Sequence, residues 1–435
     1  MDSVLAFFVA LAVSIPLAEV LRRRFNARGT VIYVWPSRRL REFIEAHAHS
    51  ANWQLFGDFA VVLLAGPLLS RRFASDRRAY VLFALYVLVT MVAIPFFGGA
   101  ATFRSIDFLA LGVVLLTGYA GYAMLLIAQS AWGIIYSYFH GVTPAPGIGP
   151  AIPGVDIGGF EIPLWQGIVA LAIALIFHEG AHGVVALRER VPLEESGFIT
   201  LGLLPIGAYV EPKEGIFKAR PPLSKLRVFA AGPAANMIIF AVFAALMLAL
   251  APVGSFLTDY GCAHGKGVRI LSVPKTFQIG TDVVPSGAYG KIPAGAVVLD
   301  VNGEPIRCTY QFMLAMARYQ KLDYNGPAYF TIDVNGQIRT VQVTLHRGFM
   351  GIRGVETVYA EPLPWWYDAL TFLLSVVSWV ALLNLMVGLV NMLPLDPLDG
   401  GQFYRVFFEG GKVYELLQWL TILLFVLNAL PWFFK

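Results

Sequence analysis

Residues Leu164 to Leu187 form an apolar run long enough to cross a bilayer as a single helix, and the run carries His178-Glu179-Gly180-Ala181-His182 within it. That combination constrains the fold more than any other feature of the chain. Ionisable side chains at membrane depth are costly and usually functional. Residues four apart share one face of a helix, so His178 and His182 point the same way. Two imidazoles one turn apart can grip one zinc ion, and Glu179 beside them can act as general base. A pair of satisfied core histidines is the competing reading, and the hydrophobic setting counts against it.

Two protein ligands leave a catalytic zinc site incomplete, because such sites usually take a third and keep one position for water. The best third candidate closes a later apolar span, Ala369 to Leu393. It lies in Asn391-Met392-Leu393-Pro394-Leu395-Asp396-Pro397-Leu398-Asp399-Gly400-Gly401. Asp399 is the carboxylate in question; Asp is also a common turn residue in Pro/Gly stretches. Between the two motifs, Gly232-Pro233-Ala234-Ala235-Asn236 opens the span that follows HEGAH. HEGAH, a GPxxN-type motif and LDGG, in that order, resemble the site-2 protease family of intramembrane zinc metalloproteases. The resemblance covers residues 141 to 435. It implies that His178, His182 and Asp399 bind zinc and that Glu179 is the catalytic acid/base. It also implies Asn391 as a holder of the substrate backbone, where an interhelical hydrogen bond is the rival role. Asn236 is a second substrate-binding candidate, with helix packing as its alternative.

Hydrophobic residues make up 57% of the 435 and charged residues 14%, against about a quarter charged in a soluble chain. The expected fold is therefore a polytopic α-helical membrane protein of about seven to eight spans. It carries an inserted small α+β PDZ-like domain and a re-entrant β-hairpin-like segment. The apolar runs are Leu5–Leu21, Leu55–Leu69, Ala79–Phe97, Ile106–Tyr138, Leu164–Leu187, Leu226–Leu250, Ala369–Leu393 and Val413–Leu430. Four regions follow. Residues 1–140 are an N-terminal transmembrane region with no catalytic constellation. Residues 141–255 hold the HEGAH span, the re-entrant segment and the GPAAN span. Residues 256–362 are the PDZ-like domain, and 363–435 hold the LDGG span and the last span.

A net charge of +4 is too small to suggest nucleic acid, but the placement of Lys and Arg sets orientation. Arg188, Arg190, Lys213, Lys218, Arg220, Lys225 and Arg227 follow the HEGAH span, which puts its far end and the zinc site toward the cytosol and the PDZ-like domain outside. The N-terminal run reads as a signal anchor, because Arg22-Arg23-Arg24 follow it and no basic residue precedes it. Cys262 and Cys308, the two cysteines, lack metal-site spacing; a disulfide between them suits an oxidising side.

Within 262–360, short β-type runs alternate with the turn dipeptides Asn302-Gly303 and Asn335-Gly336, and Tyr310 to Tyr319 reads as a short helix. The string from Ser286 to Ile306 resembles the PDZ fold of bacterial-type proteases, which implies a possible peptide ligand; a GLGF-like carboxylate loop is not evident, and a small β-domain that only spaces or stabilises the core is the alternative. The stretch Gly197 to Val210 is apolar, too short to span and broken by Gly and Pro. It is the expected substrate-pairing edge, with Leu203 and Gly207 as substrate-binding candidates; a hairpin that merely caps the site is the alternative. The functional expectation is hydrolysis of transmembrane protein substrates within the lipid bilayer, with zinc as cofactor. A membrane zinc carrier and a catalytically inactive PDZ-bearing binding protein are the alternatives.

Overall fold

A computed structural model describes residues 3–73, 76–93, 108–140, 144, 146–149, 151–157, 160–279 and 282–433. Among them, six helices are long and apolar enough to cross a membrane: Asn52–Ser70, Leu109–Phe139, Leu164–Arg188, Pro222–Ala249, Trp365–Asn391 and Lys412–Trp432. The expected spans Ala79–Phe97 and Ile106–Tyr138 run outside the described residues at 94–97 and 106–107. The apolar run Leu55–Leu69 lies within a helix of 19 residues, Asn52–Ser70, which begins three residues before the run at Asn52, Trp53 and Gln54.

The chain divides into two compact units, Met1–Ile134 with Ala145–Leu248 and Ser375–Lys435, and Ile135–Pro144 with Ala249–Leu374. The first holds the membrane core. Leu63 and Leu64, Leu226 and Ala230, and Phe403 and Phe407 are fully or almost fully buried there in one apolar cluster. Among the described residues its β structure is a four-stranded sheet and a short two-stranded pair, Asp156–Ile157 with Phe160–Glu161. The segment expected to be hairpin-like is a hairpin of Leu193–Leu201 and Leu204–Pro212, turned at Gly202, where φ is +59°. Sequence reading did not foresee its neighbours. Ile32–Pro36 pairs antiparallel with Leu193–Leu201, and Arg28–Gly29 pairs with Ile32–Pro36. Trp35 Nε1 donates to Thr200 Oγ1 at 2.7 Å, and the Ser37 N–H donates to the Ser196 carbonyl at 2.8 Å. The order leaves Leu204–Pro212 as the outer strand of the hairpin.

The second unit carries a sheet in the order Gln337–Leu345, Gly326–Val334, Val297–Val301, Gly265–Ser272, Arg353–Tyr359, with Glu304–Pro305 beside Val297–Val301. Helix Thr309–Lys321 buries Phe312 and Met316 in a cluster with Val298, Phe330 and Ile332. Both Asn-Gly pairs adopt the left-handed conformation their hairpins require, with φ of 53° and 85° at Asn302 and Gly303, and 55° and 85° at Asn335 and Gly336. Cys262 and Cys308 are bonded.

Two kinked helices cross backbone to backbone in the first unit. Gly66 in helix Asn52–Ser70 has φ 75° and ψ 162°; Gly118 in helix Phe108–Phe139 has φ 70° and ψ −168°. A β-carbon at Gly66 would lie 2.4 Å from the Gly118 nitrogen, and one at Gly118 would lie 2.2 Å from the Leu64 carbonyl oxygen. Neither the backbone conformation nor the space admits a side chain. Gly66→Ala and Gly118→Ala should each destabilise the protein by about 2 kcal/mol or more. Thermal unfolding in detergent measures this, and wild-type midpoints in both variants would show that the crossing is not fixed in this form.

Candidate metal centre

The candidate metal-bearing helix is Leu164–Arg188, and its inward face carries His178 and His182. Their rings pack edge to face with centroids 4.8 Å apart, and their Nε2 atoms stand 3.2 Å from each other. Each ring is oriented from behind. His178 Nδ1 lies 2.6 Å from Asn236 Oδ1, and His182 Nδ1 lies 2.7 Å from the Val228 carbonyl oxygen. A carbonyl only accepts, so His182 carries its proton on Nδ1. Asn236 commits its amide as a donor to the Ala174 carbonyl at 2.9 Å and to Asn384 Oδ1 at 3.0 Å. Its oxygen therefore accepts, and His178 also carries its proton on Nδ1. Both Nε2 lone pairs then point into the same small space.

Asp399 enters that space from the first turn of helix Asp399–Phe407. Its Oδ2 lies 2.9 Å from His178 Nε2 and 3.3 Å from His182 Nε2. The loop before it folds back tightly. A β-carbon at Gly400 would lie 2.4 Å from the Leu393 carbonyl oxygen, and one at Gly401 would lie 2.5 Å from the Asp396 nitrogen, so both residues of the GG pair are required. Asp396, three residues earlier, points elsewhere and is held by Arg405, Tyr414 and Gln418.

The three ligand atoms all lie within 4.8 Å of one another. Two unprotonated imidazole nitrogens facing each other and one carboxylate form an electron-rich set, which a divalent cation satisfies. The nitrogen and oxygen donors fit zinc. Space for the ion is kept by Gly232, where a β-carbon would lie 2.3 Å from His182 Nε2 and 2.7 Å from His178 Nε2. Sequence reading singled out Gly232 as part of a motif without assigning this use, and it missed Asn384, which supports Asn236 from helix Trp365–Asn391.

The remaining candidates are dispersed. Glu179 is half-buried next to His178 and makes no hydrogen bond or ion pair among the described residues. Asn236 sits behind His178. Asn391 donates to its own helix at the Val387 carbonyl, 3.1 Å away. Leu203 lies in the turn of the hairpin, and Gly207 stands opposite Ile199 on the outer strand.

A sequence model described as peptidase family M50 matches residues 166–414. That stretch begins inside the metal-bearing helix and ends beyond Asp399. An uncharacterized protein of Methanocaldococcus jannaschii is 28% identical over 261 residues, covering 60% of this chain and 61% of that protein. The chain thus spans less than two thirds of that relative.

His182→Ala and Asp399→Ala should each lose most of the bound zinc, because two remaining ligands hold it poorly. Gly232→Ala should fold and yet lose zinc affinity by about tenfold or more, since its methyl group intrudes on both imidazoles. Elemental analysis and chelator competition on the purified variants decide it. Full occupancy in folded His182→Ala or Asp399→Ala would remove that residue from the ligand set, and wild-type affinity in Gly232→Ala would remove the spacing role.

Proposed function

Because this chain belongs to peptidase family M50, we propose that it is a zinc-dependent endopeptidase that cuts membrane-spanning segments of other proteins at His178, His182 and Asp399. The observation that carries the reading is the convergence of those three side chains beside a carboxylate, Glu179, that makes no hydrogen bond or ion pair among the described residues. Zinc, when bound there, supplies the Lewis acidity that makes water nucleophilic near neutral pH and polarises a scissile carbonyl. The protein does the rest. Asn236 and the Val228 carbonyl hold the imidazoles in the tautomer that presents Nε2. Glu179 takes the proton of the attacking water and passes it to the leaving amine. A zinc carrier would need the same ligands but has no use for a base beside them.

A helical substrate hides its carbonyls in its own hydrogen bonds, so it must be held extended before it can be cut. The outer strand Leu204–Pro212 suits that task. One flank of the hairpin is already covered by Ile32–Pro36, which leaves this strand as its open edge. It packs on the metal-bearing helix, where a β-carbon at Gly183 would lie 3.0 Å from Val210 Cγ1. An unwound substrate would add to this edge by main-chain hydrogen bonds, with Leu203 and Gly207 beside it. Asn391 is the further candidate for holding the substrate backbone.

The basic residues that follow the metal-bearing helix support a cytosolic placement of that end. The Cys262–Cys308 disulfide supports an oxidising compartment for the unit that carries it. The strand and helix order of that unit also fits the PDZ-like reading, and helices outside the six clear spans leave room for seven or eight crossings.

Two measurements test these proposals. In proteoliposomes, the protein should cleave a transmembrane peptide, and a chelator should abolish the cleavage. Glu179→Gln should keep zinc and lose about 10²–10⁴-fold in rate, and at least one proline between Ile199 and Tyr209 should impair cleavage without loss of zinc or fold. Near wild-type turnover in Glu179→Gln removes the base, and normal cleavage by every folded, zinc-loaded proline variant removes the edge. For orientation, an impermeant thiol reagent on intact cells should label Tyr289→Cys and spare Lys213→Cys in a cysteine-free background; the opposite pattern reverses the assignment.

A further inference from the structure

His182 is held by the Val228 carbonyl, and the residue before Val228 is Arg227, whose guanidinium is almost wholly buried. Arg227 Nε and Nη2 donate to Asp58 Oδ1 at 2.9 and 2.8 Å, and Nη1 donates to Glu189 Oε1 at 2.8 Å. Ser224 Oγ donates to the other Glu189 oxygen at 2.5 Å. Side-chain exposure is 10% for Arg227, 6% for Asp58 and 11% for Glu189, so the three charges are removed from water and depend on one another. Glu189 caps the end of the metal-bearing helix, and Arg227 stands in the second turn of helix Pro222–Ala249. Asp58 belongs to helix Asn52–Ser70, outside the stretch that matches family M50.

The helix that presents Val228 needs an external brace. Pro233 lies inside it and has no N–H for the Phe229 carbonyl, which loosens the helix one residue beyond Val228. Helix Asn52–Ser70 is fixed in turn at its far end. The Leu64 carbonyl accepts from Tyr404, 3.3 Å away, in the helix that carries Asp399. Arg72, just beyond it, donates to the Phe407 carbonyl and stacks on the Phe407 ring with its guanidinium 4.4 Å from the centroid. One N-terminal helix thus touches both arms of the metal centre.

We propose that Asp58 is a positioning residue of the metal centre: through Arg227 it fixes the Val228 carbonyl, and with it the ring of His182. The N-terminal region is then part of the catalytic apparatus, not an appendage to it. The inference rests on the reading that His178, His182 and Asp399 hold zinc.

The test uses the full-length protein purified in detergent, stripped and reloaded with Zn²⁺ or Co²⁺ alone. Asp58→Asn keeps the shape but removes the charge that anchors Arg227. It should unfold cooperatively, bind Zn²⁺ about tenfold or more weakly in chelator competition, and show an altered Co²⁺ d–d absorption spectrum. Asp58→Glu, which restores the charge, should recover part of both. A purely structural role would lower the unfolding midpoint and leave the folded protein's Co²⁺ spectrum unchanged. Wild-type Zn²⁺ affinity with an unchanged spectrum in folded Asp58→Asn overturns the proposal. If Asp58→Asn does not fold, the same measurements on Asp58→Glu decide: perturbed affinity and spectrum support it, wild-type values overturn it. Failure of both to fold assigns Asp58 to packing and also overturns it. If the wild-type protein takes up neither ion, the metal reading itself fails, which is a different result from equal binding by wild type and variant.

Discussion

Two histidines whose outer nitrogens are both spent on donation must present their inner nitrogens bare. His178 gives its Nδ1 proton to Asn236 and His182 gives its own to the Val228 carbonyl, so two lone pairs face each other 3.2 Å apart with a carboxylate oxygen beside them. A divalent cation between the donors would satisfy that arrangement, buried as it is away from water. Much of the first unit follows from this need. Gly232 removes its side chain to leave room, Gly400 and Gly401 let the Asp399 loop fold under the helices, and Asn384 supports Asn236 across a third helix.

The convergence of His178, His182 and Asp399 was largely legible in the sequence because these residues sit in short motifs whose chemistry is local. Spacing alone puts His178 and His182 on one face, and Asp399, the carboxylate singled out with them, lies beside both rings. The hairpin, the short helix near Tyr310 and both Asn-Gly turns were likewise legible, since Gly and Pro punctuate them. What escaped depends on contacts across long separations. Ile32-Tyr33-Val34-Trp35 has β character, but nothing local says that its partner lies at Phe198 to Leu201. Asp58 reads as a lone acid in an apolar run, and only the fold supplies Arg227, 169 residues away. Asn384 is one polar residue in a membrane helix, and its bond to Asn236 spans 148 residues.

The N-terminal region changes character in this light. Its helix Asn52–Ser70 reaches the metal centre through Arg227 and through Tyr404, and its strand Ile32–Pro36 covers one flank of the hairpin. An exposed strand edge accepts another strand with little discrimination, and this pairing removes one such edge from the hairpin. With one flank paired to the chain itself, Leu204–Pro212 is left as the open edge of the hairpin, and it lies against the helix that carries His178 and His182. In the proposed mechanism, ligand geometry and substrate presentation would both draw on the N-terminal region.

Zinc K-edge X-ray absorption on the purified, enzymatically competent protein tests the central claim most directly. The account predicts one zinc per chain with a first shell of two imidazole nitrogens and additional oxygens at about 2.0–2.2 Å, and no sulfur. A shell with one imidazole or none, or a competent protein without stoichiometric metal, would contradict it.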